Sequence, residues 1–403
     1  MSKRVLLHVG TPKTGTSYFQ DVLFRNQEAL EPQGVSYHAP RFDYHFLAAL
    51  DLMRLPWGGL EAEAIGAWDE LAARVRAASG TAIVSHEILA TASRSQVARA
   101  LESVGHGAGA EVHVVLSVRD LVRQIPAEWQ ENVKHRSTLS YATFLERIQD
   151  PTRDSRIGSW FWGVQEIPDI LNRWAHDLPP EHVHLVTVPP PGGPPELLWQ
   201  RFSRAFGLDG LELDLGTDRA NPSLGVPETA LLRRINRDAN ALVEPEHYRP
   251  LVRELLAHQT LSRRTGSPRL ALPPDVHPWV QELSASWVRE VRERGYDVVG
   301  DLDELLGAPP AAGFADPDAP RERQVAAAGV DAITALLLEA TRLRQEEARL
   351  RDELAAAHAE VERAHLRPVY RLRKKVVHRL ERGSGRFLIR LYRRLRGLPV
   401  DAG

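Results

Sequence analysis

The chain has 403 residues, 43% hydrophobic and 26% charged, which suits a globular protein with one large domain and an appendage, or with two modest domains. Its formal net charge of −2 gives no overall sign of a nucleic-acid partner. The lack of cysteine excludes disulfides, thiolate metal sites and cysteine nucleophiles.

Near the N-terminus, Lys13 and a glycine turn interrupt any apolar stretch that could act as a signal-peptide core. No run of about 18 apolar residues stands out, so the expectation is a cytoplasmic chain with no membrane span. Residues 5–9 (VLLHV) read as a buried strand, and residues 16–30 follow with helical spacing. Residues 81–85 (TAIVS) and 111–118 (EVHVVLSV) read as two further strands, each entering a helix through a polar turn. Residues 182–188 (HVHLVTV) make a fourth, ended by PPPGGPP. Strands separated by helical crossovers predict an α/β fold, with a parallel sheet and helices on both faces. Ligands in such sheets sit beyond the carboxyl ends of the strands.

Past residue 302 the composition changes. A domain over 1–305 gives way to a linker at 306–325, rich in Pro, Ala and Asp. A helical, coiled-coil-like segment follows at 326–366. Ile333, Ala340, Glu347, Leu354 and Val361 fit heptad position a, and Leu336, Leu343, Leu350, Ala357 and Ala364 fit d. The stripe suits either a homodimer through residues 333–364 or a solvated helix. Residues 367–403 form a basic tail in which Arg and Lys alternate with Leu, Val, Ile, Phe and Tyr at helical spacing. Such a tail suits an anionic membrane surface through 367–396, or a solvated or self-packed helix.

The most informative stretch is HVGTPKTGTSYFQ, residues 8–20. A strand, a glycine turn and a helix N-terminus make an anion site, because the first N–H groups of the helix lack partners and its dipole favours negative charge. Gly10 and Gly15 have the separation of a nucleoside-triphosphate loop, but Thr16 stands where that loop has lysine. The loop's lysine is Lys13, at its crown, where a cation can stabilise charge developing on a leaving phosphate.

Residues 11–20 (TPKTGTSYFQ) resemble the 5′-phosphosulfate loop of sulfotransferases that use 3′-phosphoadenosine 5′-phosphosulfate (PAPS). The resemblance extends over about residues 3–300 and implies a P-loop-NTPase-like fold of the bacterial branch. It assigns Pro12, Lys13, Thr14, Gly15, Thr16 and Ser17 to the donor's phosphosulfate end. Residues 114–130 (VVLSVRDLVRQIPAEWQ) resemble the family's second signature, where an arginine and a serine grip the 3′-phosphate. Arg119 fits the arginine, whereas Ala127 stands at the serine position and Leu121 at the proline that follows Arg-Asp. Ser117, Arg123 and Gln124 are the available substitutes. Ser223 and Gly225, with Asn221, could form a late loop over the nucleotide, or an ordinary helix start.

Sulfuryl transfer to a hydroxyl or amine needs a base near the acceptor. Residues 83–89 (IVSHEIL) offer Glu87, preferred by resemblance to the bacterial branch, and His86. Strand alternation would turn the two to opposite sides if the strand continued past Ser85. Arg41 and His45 could contact the acceptor, and Trp160 and Trp162 could stack on it. Trp174 reads as core. No His/Asp/Glu spacing reads as a metal site, so the expected reaction is metal-free, with PAPS as sulfuryl donor and no nucleic-acid partner. The acceptor stays open among glycan, lipid, peptide and small metabolite. Two rivals to this reading are a nucleoside-triphosphate kinase or hydrolase with an altered loop, and a non-catalytic nucleotide-binding scaffold acting through its C-terminal helix.

Overall fold

The computed structural model describes residues 4–216, 223–310, 313–366, 368–381, 391 and 393–396. Six strands form one all-parallel sheet: β1 Arg4–His8, β2 Val35–Ser36, β3 Thr81–Ser85, β4 Glu111–Val118, β5 Val183–Thr187 and β6 Asp297–Val299. Their order is β2-β3-β1-β4-β5-β6, with helices around the sheet. The α/β architecture is therefore the expected one. Four of the strands are those the sequence pattern predicts; β2 and β6, of two and three residues, are too short to show a period.

The topology locates the site. Leu6 of β1 pairs with Ile83 of β3 on one side and with His113 of β4 on the other. The connections thus diverge at β1, and a loop leaving its carboxyl end lies between the ends of β3 and β4, as at the switch point of any doubly wound sheet. Val5, Leu6, Leu7, Val114, Val115, Leu116, Val183 and Leu185 are fully buried, the near-continuous apolar run of strands covered on both sides.

Eight helices are needed below: α1 Thr16–Arg25, α2 Tyr44–Met53, α3 Leu121–Lys134, α4 Arg156–Gln165, α5 Leu197–Phe206, α6 Val226–Ala239, α7 Glu322–Leu366 and α8 Pro368–Glu381. The helix expected over 16–30 is broken at Asn26, whose side-chain amide donates to Val22 O (2.8 Å) and Asp214 O (2.9 Å). That side chain diverts the chain into a second, four-residue helix, Gln27–Leu30.

Contacts divide the chain into two units, Met1–Ala332 and Ile333–Gly403. In the first, Asp318 accepts hydrogen bonds from the N–H groups of Tyr141 (3.0 Å) and Ala142 (2.8 Å) and pairs with Arg233. Val325, Ala328 and Ala332, on the opening turns of α7, are buried within that unit. In the second unit, Ile333, Leu336, Leu343, Leu350, Leu354 and Val361 of α7 are exposed. By length and composition alone, residues Glu322–His365 also qualify as a membrane span, with a mean hydropathy of 1.3 over 18 residues. Of the basic tail, residues 367, 382–390, 392 and 397–403 lie outside the described residues, as do Asp218 and Asn221 of the late loop.

Candidate functional site

The loop after β1 is held from beneath by a buried polar stack. His8 is completely buried, with Nδ1 2.8 Å from the Ser85 hydroxyl and Nε2 2.9 Å from the Ser117 hydroxyl, so it ties the ends of β3 and β4 to β1. Phe19, Phe202 and Phe206 set their rings around it at 5.6–5.7 Å. Burial pulls the His8 imidazole down to about 3, against the attraction of Glu87, so it stands neutral. Ser117 Oγ in turn lies 2.6 Å from Thr14 Oγ1 and donates to Gly10 O at 3.0 Å. Thr14 Oγ1 donates to Thr11 O at 2.6 Å. The hydroxyls of Ser117 and Thr14 are therefore spent on fixing the loop's shape.

Two positions demand the backbone freedom that the loop sequence supplies. Gly10 (φ 124°) approaches Glu87 O so closely that a Cβ would lie 2.9 Å from it. Gly15 (φ 89°) opens α1 with no side chain capping the helix, leaving its first-turn N–H groups to face the loop. Thr16 is buried there and Ser17 is exposed. Lys13 is held at φ 64°, an uncommon conformation for a side-chain-bearing residue, and its ammonium pairs with Glu131 of α3.

One face of α3 lines the loop. Gln124 Nε2 donates to Pro12 O (2.7 Å), and its Oε1 is buried without a partner. Four residues on, Glu128 is buried with Oε2 unpartnered. Burial pushes its carboxyl up to about 7, opposed by Lys13 and Arg119 and assisted by Glu131 and Glu87. Glu131 is half-buried, and His135, Lys13 and Lys134 hold it well below the usual carboxylate range. Arg253 approaches it as well, at 3.4 Å. Arg119, just past β4, donates from Nη2 to Arg123 O (2.9 Å), while its Nε is buried and unpartnered. Burial and neighbouring Arg123 pull its guanidinium down to about 10, so it remains charged at neutral pH. Arg119, Gln124 and Glu128 thus present three buried polar atoms with no protein partner beside one anion-type loop, which marks a place for a polar ligand.

The acid–base pair lies at the end of β3. The strand stops at Ser85 and a 3-10 turn, Glu87–Thr91, begins at once with His86 as its cap. Alternation therefore ends, and both side chains lie together, His86 Nε2 4.0 Å from Glu87 Oε2. That corrects the expectation of opposite sides. Burial raises the Glu87 carboxyl, but His86, its own backbone N–H, Gln20 and Thr16 outweigh that and leave it below the ordinary value. Burial keeps His86 low and so neutral. An aromatic strip leads outward from His86 through Phe46 (5.0 Å), Trp57 (5.6 Å) and Trp160 (5.9 Å), all half-buried.

The remaining sequence candidates lie apart from this cluster or are otherwise engaged. Arg41 is exposed and pairs with Asp43 and Glu63. His45 is buried, donating from Nε2 to His38 O (3.0 Å) and accepting at Nδ1 from Ser85 N–H (3.1 Å), which fixes the end of β3. Trp162 is buried against Trp279 and Trp287, its indole N–H on Ile148 O (2.8 Å). Trp174 is core, as expected. Arg123 grips Asp120 and the carbonyls of Val188 and Pro189. Ser223 is exposed, and Gly225 opens α6, where Gln130 fixes the neighbouring Leu224 through two hydrogen bonds. A separate surface cavity of about 400 Å³ is lined by Arg264, Ser267, Arg321 and Gln324 and by no loop residue.

Glu128, Glu131, Phe46 and Trp57 escaped the sequence reading. Glu128 and Glu131 follow Gln124 at helical spacing of four and three, so the signal was present once Gln124 was placed at the loop. No family model, curated protein or solved structure matches this chain. The site combines an anion-type loop with a cation at its crown, a half-buried guanidinium beside it, and a carboxylate–imidazole pair opening onto an aromatic strip.

Proposed function

We propose that the chain is a PAPS-dependent sulfotransferase, moving a sulfuryl group to a hydroxyl or amine of a glycan, lipid or small metabolite. The observation that carries this reading is the placement of Lys13 at the crown of a loop whose helix N-terminus is uncapped, with the half-buried guanidinium of Arg119 on the neighbouring strand end. In this reading the phosphosulfate lies along residues 12–17, where exposed Ser17 and the α1 N–H groups donate to it. Lys13 leaves Glu131 to meet the 5′-phosphate. Arg119 and Gln124 face the 3′-phosphate, and a protonated Glu128 donates to it in place of the serine absent at Ala127.

The acceptor approaches along Trp160, Trp57 and Phe46. Its oxygen or nitrogen attacks sulfur in line, and the bond from sulfur to the 5′-phosphate oxygen breaks. Glu87, or His86 beside it, takes the acceptor's proton, and adenosine 3′,5′-bisphosphate leaves with its charge on Lys13. Ser223 and Gly225 belong to the late loop that would close over the nucleotide. The reading also makes the chain cytoplasmic, dimeric through residues 333–364 and drawn to anionic membrane through the basic tail.

Thermal-shift measurements test the donor. Stabilisation by adenosine 3′,5′-bisphosphate and not by ATP with Mg²⁺ supports the reading. The reverse pattern replaces it with a triphosphate enzyme, and stabilisation by the bisphosphate with no transfer from PAPS to any acceptor favours the nucleotide-binding scaffold. Mass spectrometry of cell extract incubated with PAPS and the protein then identifies the sulfated acceptor.

A further inference from the structure

A second cluster lies at the opposite edge of the sheet, where β4, β5 and β6 begin. Parallel register sets Val114 beside Val183 and His184 beside Asp297, which brings residues far apart in sequence onto one face. Four side chains form a line there. Glu111 Oε1 lies 2.7 Å from His113 Nε2, His113 Nδ1 lies 2.8 Å from His184 Nε2, and His184 Nδ1 lies 2.7 Å from Asp297 Oδ2. The His182 ring stacks on that of His113 at 4.3 Å. No hydrogen bond to its ring nitrogens occurs among the described residues.

Counting hydrogens shows what the line lacks. Each of its three contacts needs one hydrogen, whereas two neutral imidazoles carry two. With both carboxylates ionised, the line is short of one positive charge. A third proton is one way to supply it. A cation bound at His113 Nε2 meets the need in another way. His113 Nδ1–H then donates to His184, His184 Nδ1–H donates to Asp297, and every donor has an acceptor. That is the carboxylate–histidine–metal support that orients imidazole ligands, lengthened by one histidine.

We infer that Glu111, His113 and His182 form a binding site for a divalent transition-metal ion of the zinc type. The ligand atoms of these three residues all lie within 4.8 Å of one another. Tetrahedral zinc with N and O ligands at about 2.0–2.2 Å sets them about 3.3 Å apart, so a modest side-chain closure suffices. Two imidazoles and a carboxylate match zinc in softness, and exposed Glu111 gives the ion a way in. Three protein ligands leave a fourth position for water. The ion would clamp the starts of β4 and β5, with β6 held through Asp297. The site shares no residue with the loop, so it stands or falls separately from the proposed sulfuryl transfer.

The test is calorimetric titration of the EDTA-stripped full-length chain with ZnCl₂, paired with melting curves. Expected are one zinc per chain, a higher melting temperature with zinc, and a four-coordinate visible spectrum when Co²⁺ replaces it. His182→Ala and Glu111→Gln should each weaken binding at least tenfold while melting like the parent in EDTA. Asp297→Asn, through the line, should weaken it about tenfold or more. Absence of stoichiometric zinc binding overturns the site. So does binding that survives both His182→Ala and Glu111→Gln, which would place zinc on other surface histidines. If His182→Ala melts early in EDTA, the result with exposed Glu111→Gln decides.

Discussion

Lys13 reaches across from the crown of the loop to form an ion pair with Glu131, a carboxylate that Lys134, His135 and Arg253 also approach. The lysine that would meet a nucleotide is thus held by a protein carboxylate when none is present, and ligand binding must compete with that pair. Replacing Lys13 by Ala should lower kcat/KM for sulfuryl transfer about 10²–10³-fold, the cost of losing one donor aimed at developing charge. Glu131→Gln should act in opposite directions on two readouts. Adenosine 3′,5′-bisphosphate should bind about fivefold tighter, as expected from releasing a pair worth about 1 kcal/mol. The melting temperature should fall, because buried Lys134 loses a neighbouring carboxylate. Unchanged affinity with Glu131→Gln would show that the pair does not compete with the ligand.

Glu128 makes the site sensitive to pH near neutrality. Its carboxyl is raised to about 7 by burial, against about 4.5 for an ordinary glutamate. The folded chain therefore holds a proton that the unfolded chain releases between those values. The sign follows: Glu128 costs no stability below about pH 4.5, and the cost grows as pH rises from there to about 7 and then stays constant. Glu128→Gln should then stabilise the protein more at pH 8 than at pH 5. Bisphosphate affinity should fall above pH 7 in the parent and stay nearly flat in the variant, as calorimetry at several pH values would reveal. A parent affinity that does not change between pH 6 and 8 would remove Glu128 from the phosphate site.

Glu87 and His86 lie side by side, so substitution must separate their roles. Glu87→Gln keeps the Gln20 and Thr16 contacts in shape but cannot take a proton. It should lower kcat about 10²–10⁴-fold with little change in bisphosphate affinity. His86→Asn, which can still cap the following turn, should cost less. A larger loss at His86 would reverse the assignment of the base.

The sheet was largely legible because its strands are covered on both sides and therefore apolar along their length: residues 81–85 and 111–118 match β3 and β4 residue for residue. The glycines of the loop were legible for a related reason, since Gly10 and Gly15 occupy conformations that other residues resist. What the sequence concealed depends on register and on local hydrogen bonds. Nothing at position 86 announces that β3 ends there, and His86 and Glu87 meet only because it does. Ser117 reads as a substitute phosphate donor near the carboxyl end of β4, yet its hydroxyl is taken by Thr14, Gly10 and His8. Glu111, His113 and His182 have no metal-ligand spacing, because parallel pairing of β4 with β5 is what unites them.

That use of Ser117 gives a stability prediction distinct from a ligand role. Ser117→Ala leaves buried His8 Nε2 and Thr14 Oγ1 each short of a partner, at about 1–3 kcal/mol. The melting temperature should drop without bisphosphate. Under saturating bisphosphate the parent and variant should gain stability by similar amounts if the loop retains its shape. A normal melting temperature with strongly weakened affinity would instead assign the hydroxyl to the ligand.

The second unit offers the last test. Leu336, Leu343 and Leu350 at the d positions and Ile333, Leu354 and Val361 at the a positions are exposed, a stripe of apolar surface that suits a paired helix. Glu347 at one a position weakens a paired seam without forbidding it, as polar residues there commonly set register at some cost in stability. Sedimentation of the full-length chain should give a dimer at micromolar concentration. Leu343→Asp with Leu350→Asp should convert it to monomer, because four buried carboxylates in one seam cannot all be solvated. Donor binding should be unaltered, since the loop, α3 and the end of β3 belong to the first unit. If the parent sediments as a monomer yet floats with anionic vesicles, and the double variant does not float, the stripe faces lipid and the dimer reading is wrong.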